Sequence, residues 1–466
     1  MNKVLLAVLV TVSFSVLLGS QEAFAELKTW DMGAVTQNWL DGDNWDPNGV
    51  PSSSDEIVIP ATFDVIMNTD FTISSGSITI EVDGLLEVPK DKTLTNTNGM
   101  ITNKGFFFVD GKVVNTFGDT IENKEGALWG VQGDGSANNG VVINDGTIND
   151  SGEIESKNAK WTNSGTFNKN NGIAKFTEDS LFTNTDGGSL NVIGGGTPAT
   201  SPTVIFEESN LINTINGEIT IGGLADVFFT ANSDLINKIG AMVNVNDKGL
   251  LSFDSFSELT NTSDLNINAG GIVAAGGLAG IENKKGGIIN NQGASGNPAR
   301  IVLDDAGSLS NIGNVNNKAD GVILVRAGGT IENIKPGFID NQPGATIIIE
   351  KSGNLIGKIS GTGGFLNNSD DSITNFGIID ISGPWQNFGK IENNGIINIL
   401  CGGSLDPLGT ITGTGEFNEF ECPVGGTLIP IGKTSLLLAY GELNSWWMAP
   451  IVIGIGVGVY LVKRRF

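Results

Sequence analysis

The sequence contains no histidine, and outside its last residues only two arginines, Arg300 and Arg326. Hydrolysis by a serine or cysteine with an imidazole base is therefore excluded, and so are metals held by imidazole. What remains for chemistry is carboxylate. Asp304-Asp305 and Asp370-Asp371 are adjacent pairs of the kind that serve as acid and base on a sugar or as ligands for calcium. Asp41-Gly42-Asp43-Asn44-Trp45-Asp46 places Asp41, Asp43 and Asp46 near calcium-loop spacing, although Trp45 fills a ligand position and no glutamate stands at the twelfth. Acidic surface turns supply such groupings without function, so no catalytic residue and no cofactor is expected, with calcium the one candidate ion.

The two ends say where these groups would operate. Met1-Asn2-Lys3 precedes an apolar run from Val4 to Leu18 and the small-residue site Ala23-Phe24-Ala25, the layout of a signal peptide cleaved after Ala25, residues 1–25. At the other end residues 446–462 are uncharged and largely apolar, and Lys463-Arg464-Arg465-Phe466 closes the chain. Such a helix rises about 26 Å against a hydrocarbon core of roughly 30 Å, so a start near Leu443 completes the span. The basic tail, 463–466, is expected in the cytoplasm, with Trp446 and Trp447 at the outer interface. Everything between is then extracellular, and the expected location is the cell membrane, crossed once.

Setting aside Lys3, Glu22 and the three tail cations leaves 22 basic and 50 acidic residues, an ectodomain charge of −28. That field repels nucleic acid and acidic glycans and attracts cations. No nucleic-acid partner is expected; the membrane, like chains, other envelope proteins and surface glycans remain.

The elements that would position side chains come from a repeat. Apolar-x-Asn recurs as Ile101-Thr102-Asn103, Ile121-Glu122-Asn123, Trp161-Thr162-Asn163 and onward to Ile391-Glu392-Asn393. Counting Asn103, Asn123, Asn144, Asn163, Asn184, Asn213, Asn237, Asn261, Asn283, Asn311, Asn333, Asn354 and Asn375 gives a mean period of about 23 residues, the mark of a solenoid. Stretches such as Ala345-Thr346-Ile347-Ile348-Ile349 alternate with a period of two and are bounded by Gly, Asn and Asp, so the units are strands. The expected fold is all-β: a single-chain parallel β-helix of about fourteen rungs, roughly 70 Å long. Asparagine is expected at its turns, tolerating left-handed backbone and stacking into a ladder between rungs. The Gly194–Pro202 stretch is expected to bulge as a loop.

Exposed strand edges at both ends of such a rod need caps. Residues 26–92 are expected to hold the N-terminal cap and first strands, and 93–400 the repeats. Trp30, Asn38-Trp39, Asn44-Trp45, Gly49-Val50-Pro51, Asp55 and the strand Ile57-Val58-Ile59 resemble the N-terminal segment of β-helical surface proteins and adhesin-like passengers, which implies a cap with buried tryptophans. Cys401 and Cys422 are the only cysteines; lying about one rung apart, they are expected to form a disulfide that staples a terminal rung, 401–426. A juxtamembrane segment, 427–445, follows. Gly425-Gly426-Thr427-Leu428-Ile429-Pro430, Leu436-Leu437-Leu438-Ala439, Trp446-Trp447 and the Lys463-Arg464-Arg465 tail together resemble the C-terminal anchor of surface proteins from ammonia-oxidising archaea, which implies an archaeal envelope protein. Asn149-Asp150-Ser151, Asn261-Thr262-Ser263 and Asn367-Asn368-Ser369 are candidate glycosylation sites at Asn149, Asn261 and Asn367. The function expected is non-enzymatic, structural or adhesive at the cell surface. A polysaccharide-active β-helix enzyme and a calcium-binding envelope module are the alternatives.

Overall fold

The computed structural model describes residues 25–420 except 117–118, 132–135, 139, 186, 196–200, 327, 353–354, 357, 362–363 and 368–371. From Glu56 onward the chain winds as a parallel β-solenoid with three faces. Met100–Asn103, Phe106–Val109 and Lys112–Asn115 form one coil; each pairs in parallel with the strand of the same face in the next coil, as Met100 does with Thr120. The second and third faces hold 16 strands each and the first-face sheet 19, counting two in the cap. Sixteen coils at about 4.8 Å extend roughly 75 Å, slightly more than the sequence period suggests.

Most strands are four residues long and read outward, inward, outward, inward, as in Thr-Ile-Glu-Asn at Thr120–Asn123. The two inward residues fill the rod. Branched aliphatics predominate there because they pack well on a pleated surface. Where larger side chains occupy them, they align from coil to coil. Phe176, Phe206, Phe229 and Phe253 form a stack with centroids 4.9, 4.8 and 5.0 Å apart, the spacing of the strands that carry them.

Corner length explains why the period is uneven. A corner of two residues joins Asn144 to Thr147, and one of four joins Asn237 to Met242. Coils closed by short corners advance 18 residues, as between Asn375 and Asn393, and coils with long corners 24, as between Asn237 and Asn261. The 29-residue step from Asn184 to Asn213 contains the expected loop, of which 196–200 lie outside the described residues. At the two-residue corners glycine is required by contact between coils: a Cβ on Gly165 would overlap the carbonyl oxygen of Gly146.

The repeated asparagines are not turn residues. Each ends a strand with its side chain inward, and none in the first-face row has a positive φ. Eleven of them, Asn103 to Asn333, stack on the first face. Each Nδ2 donates to the Oδ1 of the next, at 2.7 Å from Asn103 to Asn123 and 2.8 Å from Asn237 to Asn261. The second hydrogen of each amide goes to a backbone carbonyl, as from Asn123 to Thr147 at 3.1 Å. The row ends at Asn333, whose counterpart in the next coil is Gly361. Asn375, expected in the same row, lies on the third face and bonds Asn393 at 2.8 Å, and Asn354 lies outside the described residues. A separate row runs on the second face from Asn291 through Asn317, Asn341 and Asn367 to Asn387.

The N-terminal end is closed by aromatic packing. Leu27–Trp30 pairs in parallel with Glu56–Ile59. Trp30, Trp39 and Trp45 are fully buried, and Trp45 meets each of the others edge to face at 4.9 Å. Asp55 fastens the junction by accepting from the backbone of Glu26 and Ser52 at 3.1 and 2.7 Å.

Candidate functional site

Among the described carboxylates that the sequence singles out, none converges on another from a different segment across a cleft. Asp41 caps a single 3-10 turn, Gly42–Asn44, accepting from Thr36 Oγ1 at 3.2 Å and from the Asp43 amide at 3.4 Å. Asp43 accepts from Asn48 at 2.9 Å, and Asp46 stands exposed on the strand paired with Thr29. Against a calcium loop at Asp41, Asp43 and Asp46, the segment spends the carboxylates of Asp41 and Asp43 on separate local bonds that shape the cap. Asp304 is engaged by Arg326 at 2.9 Å and by the Asp305 amide at 3.0 Å, so it too is a corner group. Asp370-Asp371 lie outside the described residues.

Two of the three glycosylation candidates are corrected by their burial. Asn261 and Asn367 are 0% and 1% exposed and are members of the inward rows, so a glycan on either is incompatible with the folded rod. Asn149 points outward on the second face, where its Oδ1 accepts from Asn168 at 2.8 Å. It belongs to an outer amide row in which Asn191 bonds Asn168, and Asn266, Asn290 and Asn316 each bond the asparagine one coil before. Cys401 is exposed in the corner before Ser404–Pro407. Its expected partner Cys422 lies outside the described residues, as do Trp446, Trp447, Lys463, Arg464 and Arg465. Among the described residues no helix is long and apolar enough to cross a membrane.

Sequence reasoning missed two groupings. On the first face Asp234, Glu258 and Glu282 project outward from adjacent coils. Partial burial and a hydrogen bond with Glu282 push the Glu258 carboxyl above its usual range, while Lys284 opposes the shift. Burial likewise raises Asp234. Lys284 pairs with Glu282 at 2.9 Å, and among the described residues no set of three His, Cys, Asp or Glu is arranged to hold a metal. The signal was present as a spacing of 24 residues from Asp234 to Glu258; Glu282 stands in the next outward row, opposite Thr260.

The second is inside. Asp150 and Lys169, both 0% exposed, occupy inward positions of neighbouring second-face strands and form an ion pair at 2.7 Å. Lys169 also donates to the Gly152 carbonyl at 2.7 Å and Asp150 accepts from the Gly152 amide at 3.0 Å. Burial pushes the Asp150 carboxyl up to about 6 against the pull of Lys169, and burial lowers Lys169 against the pull of Asp150. Aligning Thr147-Ile148-Asn149-Asp150 with Thr166-Phe167-Asn168-Lys169 would have revealed it.

A shallow depression near the last coils is lined by Phe376, Ile378, Asn394, Ile396, Thr414 and Glu416, among others. It presents one carboxylate where sugar cleavage of the two-carboxylate kind needs a pair.

Comparison with other proteins adds little beyond the fold. No curated protein matches the chain at a significant level. Among solved structures, the crystal structure of a TibC-catalysed hyper-glycosylated TibA55-350 fragment is similar at 15% identity and a TM-score of 0.23, over 74% of this chain and 95% of that one. Residues 29–114, which include the tryptophan cap and the first coils, match a family described as a domain of unknown function, DUF8693.

Proposed function

We propose that the chain is a non-enzymatic cell-surface protein, structural or adhesive, that displays an acidic β-helical rod outside the cell on one C-terminal membrane anchor. The observation that carries this reading is how the solenoid uses its side chains. Inward positions are consumed mostly by core and amide rows, while the outward positions of many coils are small, polar or apolar, and among the described residues no acid and base face each other across a cleft. Such a body is a spacer with a long lateral surface, and binding is usually carried on such rigid scaffolds. The apolar segment at 446–462 and the anchor resemblance support attachment to an archaeal membrane. Partners are then like chains, envelope proteins or surface glycans.

The polysaccharide-active alternative draws on one observation, the Asp234, Glu258 and Glu282 cluster with its raised carboxyls. Incubating the intact chain with neutral and acidic polysaccharides, with and without calcium, and following retention and chain length separates the readings. Retention without shortening supports adhesion. Shortened chains overturn the non-enzymatic reading, and loss of the shortening in Glu258→Gln would place that chemistry in the cluster. A calcium-dependent rise in thermal stability would favour the cation-binding module.

A further inference from the structure

The third face carries, on its outward side, a surface unlike the rest of this acidic chain. One outward row reads Ile205, Phe228, Ser252, Ala274, Val302 and Leu324 in register from coil to coil. The row beside it reads Asp226, Leu250, Ile272, Arg300 and Val322. Alternation would ordinarily make such positions polar. Within these two rows only Asp226 and Arg300 are charged, and among the described residues neither forms an ion pair.

The corner that closes the same coils extends the apolar surface. Phe256 and Leu278 stand 63% and 57% exposed, at left-handed φ values of 67° and 70°. That backbone region disfavours bulky side chains. Two large apolar groups held there in water, on adjacent coils, are unexplained by the packing of the rod itself.

We propose that this face seats a second copy of the chain, docked antiparallel about a two-fold axis that runs along the strand direction between Leu250 and Ile272. Rotation about such an axis keeps each outward row over itself and inverts the order of the coils. Leu250 then meets the partner's Ile272, Phe256 meets the partner's Leu278, and Phe228 meets the partner's Val302. Asp226 falls opposite the partner's Arg300, and by symmetry the contact occurs twice. The two unpaired charges are complementary only in this arrangement, which a parallel pairing would not provide. A chain of net charge −25 repels its copies over most of its surface, so two adjacent rows with one charge of each sign are where a like chain can approach.

The size fits a reversible dimer. Six coils by about five residues cover roughly 29 by 17 Å, or about 500 Å² per copy and about 1,000 Å² in total, the size of a weak, transient interface.

Sedimentation velocity of the intact chain in a mild non-ionic detergent, across about 1–100 µM, tests the pairing. The expected result is a concentration-dependent dimer that Leu250→Asp abolishes and Arg300→Asp weakens at least about tenfold. The double variant Asp226→Arg/Arg300→Asp is expected to restore association to within about threefold of the original, because it exchanges the two charges in place. All three positions face outward, and unchanged circular dichroism and thermal midpoint verify the fold of each variant. A chain that stays monomeric throughout, a dimer indifferent to Leu250→Asp, or a double exchange as weak as Arg300→Asp alone would each overturn the proposal.

Discussion

Two of the ways in which the rod buries polar groups differ in what they can repeat. The first-face asparagines are neutral, and each amide satisfies the next, so ten successive bonds of 2.6–3.0 Å run from Asn103 to Asn333. Asp150 and Lys169 satisfy one another and the Gly152 backbone, and the coils on either side return to Val131 and Val192 at that position. A buried charge pair must recover the hydration of both ions from a single contact. An amide row has only a modest hydration loss per member and recovers it at every step. Repetition is therefore open to the amide and closed to the ion pair.

That comparison can be broken at either end. Removing one charge should have the largest effect: Lys169→Met leaves Asp150 buried without a counter-ion and is expected to cost about 3–5 kcal/mol, read as a fall in the denaturation midpoint. Interrupting the amide row in its middle should cost less. Asn237→Leu deprives Asn213 of an acceptor and Asn261 of a donor, an expected loss of about 2–3 kcal/mol, whereas Asn103→Leu at the row's end has one side-chain neighbour to strand and should cost about half as much. Replacing both ions, Asp150→Val with Lys169→Val, continues the aliphatic column above and below. It is expected to be neutral or to stabilise by about 1–2 kcal/mol, and a double variant as unstable as Lys169→Met would show that the ion pair is indispensable to the coil.

The smallest effect is in pH. Because the Asp150 carboxyl titrates near 6 in the folded rod and near 3.8 when unfolded, the folded state holds that proton more firmly between those values. Stability contributed by this group is present at low pH and declines as pH rises from about 4 to about 6. The same slope should be absent from Asp150→Asn, measured by thermal unfolding across that range.

Much of the fold is legible in the residues because alternation and the recurrent Asn act together. Ile-x-Asn fixes which residues face inward, and Gly, Asn and Asp mark the corners. The assignment of rows to faces is not legible in the same way, since the strands of all three faces read alike: Ser372–Asn375 on the third face has the pattern of Met100–Asn103 on the first. A count that steps by one mean period therefore carried Asn375 into a row it does not join. Asn149-Asp150-Ser151 read as a sequon because local sequence does not distinguish an outward Asn149 from an inward Asp150. The difference is one residue of parity, and it decides between a solvated acid and a buried one. The third-face apolar rows were missed for a related reason. Where both outward and inward positions are apolar, as in Gly321–Val325, sequence reads a buried strand and says nothing about which side awaits a cover.

The first-face amide row also has a sense. All ten of its side-chain bonds donate toward the C-terminal end, whereas Asn168 and Asn316 of the outer second-face row donate toward the N-terminal end. The inner second-face row also donates toward the C-terminal end, from Asn291 to Asn387, so these buried rows share one sense and the outer row opposes it. Among the described residues the second-face row accordingly starts on an unanswered acceptor, Asn291 Oδ1, and stops on an unanswered donor, Asn387 Nδ2, so a coil added at either end satisfies it only by bringing another amide.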